Sequence, residues 1–290
     1  MTGRAIRQVE PRTPMTVQTL LSLGIDILKT QNPEGAARDA RVLMAAVLEV
    51  DPSRITLMLP DAVTDDNEQT FLYFASQRAK GKPISHILGK RLFYGRNFVV
   101  TPDVLDPRGD TETLIEAALA VPFQDVLDLG TGSGCIMVTL LAERQDAVGI
   151  ATDISRDALR IAESNARAHG VLDRCAFERS NWFEVVGGTY DLIVSNPPYI
   201  ARDEMSGLAP ELSFEPRMAL TDEGDGLSCY RIIVAGAPAV LSPNGWLMVE
   251  IGPTQGPAVV DMFTAAGFKS VQVRTDLDGR NRVVLGQKPQ

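Results

Sequence analysis

The chain has 290 residues, of which 44% are hydrophobic and 22% charged, the make-up of a soluble globular protein with room for a large domain and a small one. Its 28 basic and 37 acidic residues give a net charge of −9, which argues against a broad nucleic-acid-binding face. The basic clusters that stand out are Arg78-Ala79-Lys80-Gly81-Lys82 and Lys90-Arg91. No apolar run reaches the roughly 18 residues of a membrane span. Three cysteines without metal-ligand spacing (Cys135, Cys175, Cys229) fit a reducing cytoplasm, and two histidines (His86, His169) are too few for a His-based metal site or triad.

Residues Met1 to Pro14 carry three arginines and no apolar core, and read as a frayed tail rather than a secretory signal. A helix follows, with Thr16 as its cap and Val17, Leu20, Leu21, Gly24, Ile25 and Leu28 at helical spacing. Asn32-Pro33 opens a second helix with the face Ala36, Ala40, Leu43, Met44 and Val47. Asp51-Pro52 starts a short third, and Thr64-Asp65-Asp66 a fourth that runs to about Lys80 with Phe71, Leu72 and Phe74 inward. These four predict a small helical bundle over 1–81, ended by Gly81-Lys82-Pro83. A connector, 82–106, holds two strands around Gly95-Arg96.

From 107 onward a short helix, Leu114 to Ala120, precedes alternating elements. Strands are expected at 125–129, 147–152, 175–179 and 190–195, and helices at 134–143 and 156–168. Such alternation predicts a parallel sheet covered on both faces. The end differs: strand Gly245–Ile251, helix Pro257–Ala266, and strands Ser270–Thr275 and Arg282–Gly286 joined by a hairpin turn at Leu277-Asp278-Gly279-Arg280. Segment 201–226, rich in charge and proline, is long for a loop and reads as a substrate-side flap.

Two motifs carry chemistry. Asn196-Pro197-Pro198-Tyr199 follows the apolar strand Tyr190 to Val194. The Asn196 oxygen and the Pro197 carbonyl can each accept an N–H, the prolines hold the loop without a competing N–H, and Tyr199 offers a face for a planar group. That set suits an NH₂ on an sp² carbon: adenine, cytosine or a glutamine carboxamide. A proline-stiffened turn is the plainer alternative. The second motif, Gly130-Thr131-Gly132-Ser133-Gly134, lies between a strand and a helix, where backbone can approach a ligand closely. Its G-x-G-x-G spacing, with Asp128 two residues ahead, is similar to that of S-adenosylmethionine (SAM) methyltransferases. Asp153 ends the next strand, where a carboxylate can accept both ribose hydroxyls. A nicotinamide enzyme would share the glycines and this acid but has no use for the Asn-Pro-Pro-Tyr segment. The glycine turn, Asp153, Ser180-Asn181-Trp182-Phe183 and Asn196 all fall at strand C-termini, where such sheets bind ligands.

With these residues placed, the chain resembles the release factor glutamine methyltransferases. The likeness runs from about residue 15 to the end, through Asp39-Ala40-Arg41-Val42-Leu43, Pro83-Ile84-Ser85-His86-Ile87-Leu88-Gly89, Phe93-Tyr94-Gly95, the two motifs above, Phe214-Glu215-Pro216 and Glu250-Ile251-Gly252. It implies a Rossmann-like α/β sheet with a terminal antiparallel hairpin, after a helical bundle that docks substrate. The domains expected are 1–81, 82–106 and 107–290. It further implies a SAM-dependent enzyme, with no metal, that methylates the N5 amide of the glutamine in the Gly-Gly-Gln motif of class-1 peptide chain release factors. A cytoplasmic monomer without nucleic-acid or membrane partners is expected. Ribosomal protein glutamine methylation and nucleic-acid adenine methylation are the alternatives.

The resemblance assigns SAM to Gly130, Thr131, Gly132, Ser133, Gly134, Asp153, Trp182 and Asn196. It assigns substrate to Asn196, Pro197, Pro198 and Tyr199, with Asn196, Pro197 and Tyr199 catalytic. Asp128 either positions SAM or pins the glycine turn. His86 is expected to be structural, Phe93, Tyr94 and Phe98 to be hairpin core, and Glu250 to bond the backbone. Two departures stand out. The family's Pro-Arg-Pro-Glu-Thr-Glu is here Pro107-Arg108-Gly109-Asp110-Thr111-Glu112, and Asn181 stands where Asp is usual.

Overall fold

The computed structural model describes residues 14–30 and 32–290, and divides into two compact units, 1–88 and 89–290. The N-terminal tail expected over Met1 to Pro14 lies outside the described residues, Pro14 excepted.

The first unit is built from α1 (Val17–Leu28), α2 (Ala36–Val47), a 3₁₀ turn (Pro52–Met58), α3 (Asp65–Arg78) and α4 (Ile84–Leu88). Thr16 and Thr64 cap α1 and α3 as their sequence positions predict, each accepting a backbone N–H three residues on. Asn32 does not cap α2. It accepts the N–H of Gly35, which is itself the cap residue. Leu20, Leu43, Met44, Ile55 and Phe71 form a fully buried core, with Leu72 and Phe74 only half-buried at its margin. The buried pair Arg78–Asp39 (2.7 Å) ties α3 to α2. Removing either partner would strand a charge in this core. Residues 84–88, expected within the connector, form a helix that belongs to this unit and contains the buried His86.

The second unit opens with an antiparallel hairpin, β1 (Lys90–Phe93) and β2 (Arg96–Val99). Its two turn residues, Tyr94 and Gly95, both have positive φ, the backbone that a two-residue hairpin turn requires. Phe93 and Phe98 are buried edge to face beneath it, as the alternation predicts.

A seven-stranded sheet follows: β3 (Asp125–Leu129), β4 (Val148–Asp153), β5 (Cys175–Arg179), β6 (Tyr190–Ser195), β7 (Leu241–Glu250), β8 (Lys269–Thr275) and β9 (Asn281–Gln287), in the order β5-β4-β3-β6-β7-β9-β8. The first five run parallel, and β9 lies antiparallel to both β7 and β8. Helices α5 (Glu112–Leu119), α6 (Cys135–Glu143), α7 (Arg156–Ala168), α8 (Ser228–Val240) and α9 (Gly256–Ala265) cover it. Val126, Leu192, Val194 and Met248 face the core shared with α5 and α6. Leu127, Leu129, Ile193 and Val249 face the core shared with α8 and α9. Apolar residues on both faces explain why the strands read as continuous apolar runs rather than alternating ones.

The chain passes from β3 to β4 to β5 in one direction, then returns to place β6 on the other side of β3. The sheet's switch point therefore lies between the C-terminal ends of β3 and β6. Among the described residues, no helix is long and apolar enough to cross a membrane.

Candidate active site

A cleft of about 650 Å³ opens at this switch point. Gly130, Thr131, Gly132 and Ser133 of the glycine turn line it, together with Asp153, Asn181, Trp182, Asn196 and Pro198, whereas Gly134, also expected to hold SAM, is not among the lining residues. Pro197 is buried, and neither it nor Tyr199 is among the lining residues.

The turn is fixed from beneath. Gly130, Gly132 and Gly134 all have positive φ. Asp128, fully buried at the end of β3, accepts the Thr131 hydroxyl at 2.6 Å through Oδ2, so it pins the turn. Its Oδ1 is buried without a partner, and burial pushes the carboxyl up to about 7, opposed by the Thr131 bond. Asp153 accepts Gly132 N–H (3.0 Å) and Ser155 N–H (2.8 Å), bracing the turn against the start of α7. Burial raises its pKa as well, although these backbone donors favour the charged form.

Trp182 adopts φ +53°, a conformation a bulky side chain rarely takes. The Ser180 hydroxyl holds this bend, donating to the Trp182 carbonyl (2.8 Å) and accepting Val185 N–H (3.3 Å). The bend brings the indole over the turn: a Cβ on Gly130 would lie 3.9 Å from Trp182 Cζ3. Asn181 bonds Glu184 (3.1 Å).

On the opposite lip, Ser195 donates to the Leu129 carbonyl (2.7 Å) and locks the ends of β6 and β3 together. Asn196 follows, its Nδ2 donating to Thr111 Oγ1 (3.3 Å). The rest of its loop is anchored by Gln255. Its Nε2 donates to the Tyr199 (2.8 Å) and Gly226 (3.1 Å) carbonyls, and its Oε1 accepts Gly252 N–H (2.9 Å). Burial pushes the Tyr199 phenol up to about 12, so it stays protonated at neutral pH.

The structure also joins two motif segments that are distant in sequence. Arg108 reaches the buried carboxylate of Glu215 (2.6 Å). Burial raises that carboxyl to about 7 against the pull of Arg108. Glu250 is fully buried and its Oε2 has no hydrogen-bond partner, so that oxygen does not make the bond to the backbone that the sequence suggests. Burial pushes the Glu250 carboxyl to about 7 also, with Arg282 favouring its charge. Arg282 pairs with Asp276 (3.0 Å) and with Asp110 (2.9 Å), one of the residues by which this chain departs from the usual motif. Segment 201–226 folds into three short 3₁₀ turns, and its portion from Pro216 to Glu223 forms a wall of the cleft. Among the described residues, no group of His, Cys, Asp and Glu is arranged to hold a metal ion.

Comparison with known proteins decides the family. The Methyltransferase small domain family matches residues 99–229, and the PrmC N-terminal domain family matches residues 19–89. Over 276 residues the chain is 51% identical to a release factor glutamine methyltransferase of Cereibacter sphaeroides, covering 95% of this chain and 99% of that one. The chain belongs to the release factor glutamine methyltransferase family. A second member, from Rhodospirillum rubrum, is 41% identical over 93% of this chain and 84% of its own. A methyltransferase from Pyrococcus furiosus shares the fold at a TM-score of 0.53, with 15% identity, over 78% of this chain and 100% of that one.

Sequence reasoning placed the glycine turn, Asp153, Trp182 and Asn196 at the strand ends, and the fold brings them to one cleft with the exception of Gly134, which does not line it. It did not find Thr111, Gln255 or the Arg108–Glu215 pair as parts of the site. Thr111, Arg108 and Glu215 carry a signal in the motif segments that contain them. Gln255 carries none.

Proposed function

We propose that this protein transfers the methyl group of SAM to the side-chain N5 of the glutamine in the Gly-Gly-Gln motif of class-1 release factors. One observation carries the reading: Asn196 and the glycine turn face a single cleft in a chain of this family. The residues suit SAM. Gly132 has open space where a Cβ would stand, Asp128 leaves a buried oxygen unpartnered, and Asp153 is a carboxylate at the ribose position of such sheets. When bound, SAM supplies an electrophilic methyl on a sulfonium.

A carboxamide nitrogen is a poor nucleophile because its lone pair is delocalised, so the protein's task is orientation. The Asn196 oxygen and the Pro197 carbonyl accept the two amide hydrogens while Tyr199 packs the carboxamide plane. Holding a near-attack geometry can contribute roughly 7–11 kcal/mol. Tyr199 stays protonated and takes no proton. Residues 1–88 dock the protein substrate, a role supported by the family match over 19–89 and by a core of their own. On this reading the enzyme acts as a cytoplasmic monomer.

Incubation with labelled SAM and, separately, release factor, ribosomal proteins and DNA tests the proposal. Label should enter release factor, and mass spectrometry should find the methyl on the Gly-Gly-Gln glutamine. Label entering ribosomal protein or DNA instead would refute it.

A further inference from the structure

Asn196 and Pro197 each precede a proline, which biases both to extended backbone, and the rings of Pro197 and Pro198 fix φ at two positions. The stretch from Asn196 to Pro198 is therefore stiff and moves as a unit, carrying the Asn196 side chain and the Pro197 carbonyl with it. Neither proline has an N–H with which to tie itself down. A rod of this kind keeps its aim only if both ends are held.

The first end is held by β6 and by the Ser195 bond to the Leu129 carbonyl (2.7 Å). The far end is held by Gln255, which stands at the N-cap of α9 but makes no capping bond with its side chain. The carboxamide turns to the rod instead. Nε2 donates to the Tyr199 (2.8 Å) and Gly226 (3.1 Å) carbonyls, and Oε1 accepts Gly252 N–H (2.9 Å). A carbonyl can only accept and a backbone N–H can only donate, so these partners leave the carboxamide one orientation. Two further backbone bonds, Ile200 N–H to the Leu220 carbonyl (3.0 Å) and Arg202 N–H to the Gly224 carbonyl (2.9 Å), join the chain beyond Tyr199 to the segment whose end Gln255 also holds.

The packing around this clamp admits only glycine. Gly226 has φ +75°, and a Cβ on it would lie 2.4 Å from the Tyr199 carbonyl oxygen and 3.0 Å from Gln255 Nε2. A Cβ on Gly252 would lie 3.0 Å from Gln255 Oε1.

We propose that Gln255 is a positioning residue for methyl transfer: its carboxamide clamps the Tyr199 carbonyl to Gly226 and so fixes the aim of the Asn196-Pro197 grip from its far end. The inference rests on the reading of Asn196 and Pro197 as the amide grip. Gln255 touches neither SAM nor the acceptor and acts through the rod. The Pro197 carbonyl lies about midway along it, so a swing of about 2 Å at Tyr199 moves that carbonyl by about 1 Å, a misplacement that costs on the order of 10² in rate.

The test measures single-turnover methylation of release factor by the full-length enzyme in saturating SAM, well below the melting temperature. The variants are Gln255→Met, Gln255→Glu, Gly226→Ala, Asn196→Ala and the Gln255→Met/Asn196→Ala double, with SAM affinity followed in parallel. Gln255→Met keeps the length without the donors, and Gly226→Ala displaces the Tyr199 carbonyl while leaving Gln255 in place. Each should slow transfer at least about tenfold with SAM affinity within about twofold of wild type. Gln255→Glu should be as slow as Gln255→Met at pH 8. Its rate relative to wild type should rise toward pH 5.5, where the introduced carboxyl, facing two carbonyls, takes a proton and regains one donor, while the Gln255→Met ratio stays flat. In the Asn196→Ala background, Gln255→Met should cost less than it does alone, because part of what it aims is gone. If the Gln255 variants do not fold, Gly226→Ala alone and combined with Asn196→Ala carries the same comparisons.

Wild-type rates in Gln255→Met and Gly226→Ala beside a crippled Asn196→Ala would overturn the inference and leave the reading of Asn196 standing. A wild-type rate in Asn196→Ala would overturn that reading, and the inference with it. SAM affinity falling in step with rate, a Gln255→Glu ratio as flat in pH as that of Gln255→Met, or an undiminished cost in the double variant would assign Gln255 to the fold alone and overturn the proposal.

Discussion

Gly132 and Gly134 sit two residues apart in one turn, both with left-handed φ, yet an alanine at each should fail for different reasons. Gly134 caps α6 at φ +78°. A Cβ there would lie 3.0 Å from Ala162 Cβ and 3.1 Å from its Cα, and that backbone belongs to α7. The left-handed conformation costs about 1–2 kcal/mol for a residue with a Cβ. Crowding against packed backbone adds about 1–3 kcal/mol. Gly134→Ala should therefore lose about 2–5 kcal/mol of stability. Gly132, at φ +56°, has nothing within 4 Å of its Cβ position and lines the cleft. Gly132→Ala should lose only the conformational part, about 1–2 kcal/mol, while its new methyl group intrudes where SAM binds. Urea titration gives the first quantity as a midpoint shift at constant slope, and calorimetry with SAM gives the second. The expected pattern is crossed: Gly134→Ala is the less stable of the two, and Gly132→Ala loses the more SAM affinity per unit of stability. Equal stability losses would refute the contact argument, and undiminished SAM affinity in Gly132→Ala would refute its place in the cofactor cradle.

Asp153→Ala removes the acceptor for Gly132 and Ser155 N–H and, on the proposed reading, for the ribose hydroxyls. SAM affinity should fall by at least about tenfold in calorimetry, and an unchanged value would refute the ribose assignment. Glu250 keeps its proton in the folded state up to about pH 7 but ionises near 4.5 when unfolded. The folded state thus binds more protons between those values, and stability is lost as pH rises through that window. The shift corresponds to about 3 kcal/mol. Denaturation of Glu250→Gln beside wild type at pH 4.5 and pH 8 should show the variant gaining relative stability at the higher pH, and a constant difference would contradict the burial argument. Residues 89–290 alone should bind SAM but methylate intact release factor at least about tenfold more slowly than the full chain. Equal rates would rule out substrate docking by the helical unit.

What the sequence discloses is what rests on short-range pattern. The strands at 125–129, 175–179 and 190–195 and the helix at 156–168 fall where their apolar runs and caps predict. Helix α8 is missing from that reading because Gly236 and Pro238 look like breakers. In the fold, Gly236 lets the helix approach Phe183, where a Cβ would meet the ring at 2.5 Å, and Pro238 falls in the last turn. The helix at 84–88 is a single turn, too short for periodicity to show. Asp153 was legible as a strand-end acid, but its bracing of Gly132 was not, since that contact spans two loops. Thr111 and Asn196 meet only because α5 packs beside β6. No local signal in either segment announces the meeting, although each segment carries a family motif.

The central claim is that Asn196 holds the reacting nitrogen. The direct measurement is the methylation rate of release factor by Asn196→Ala and Asn196→Asp in saturating SAM, with SAM affinity measured alongside. Removing one positioning contact at a reacting centre costs about 10²–10³ in rate. Asn196→Asp keeps one acceptor oxygen, loses the donor to Thr111 and adds charge, so it should also be slow. Both variants should bind SAM within about twofold of wild type, since the loss acts on the acceptor. Wild-type rates in both would mean that Asn196 does not grip the glutamine amide, and the account of catalysis would fall.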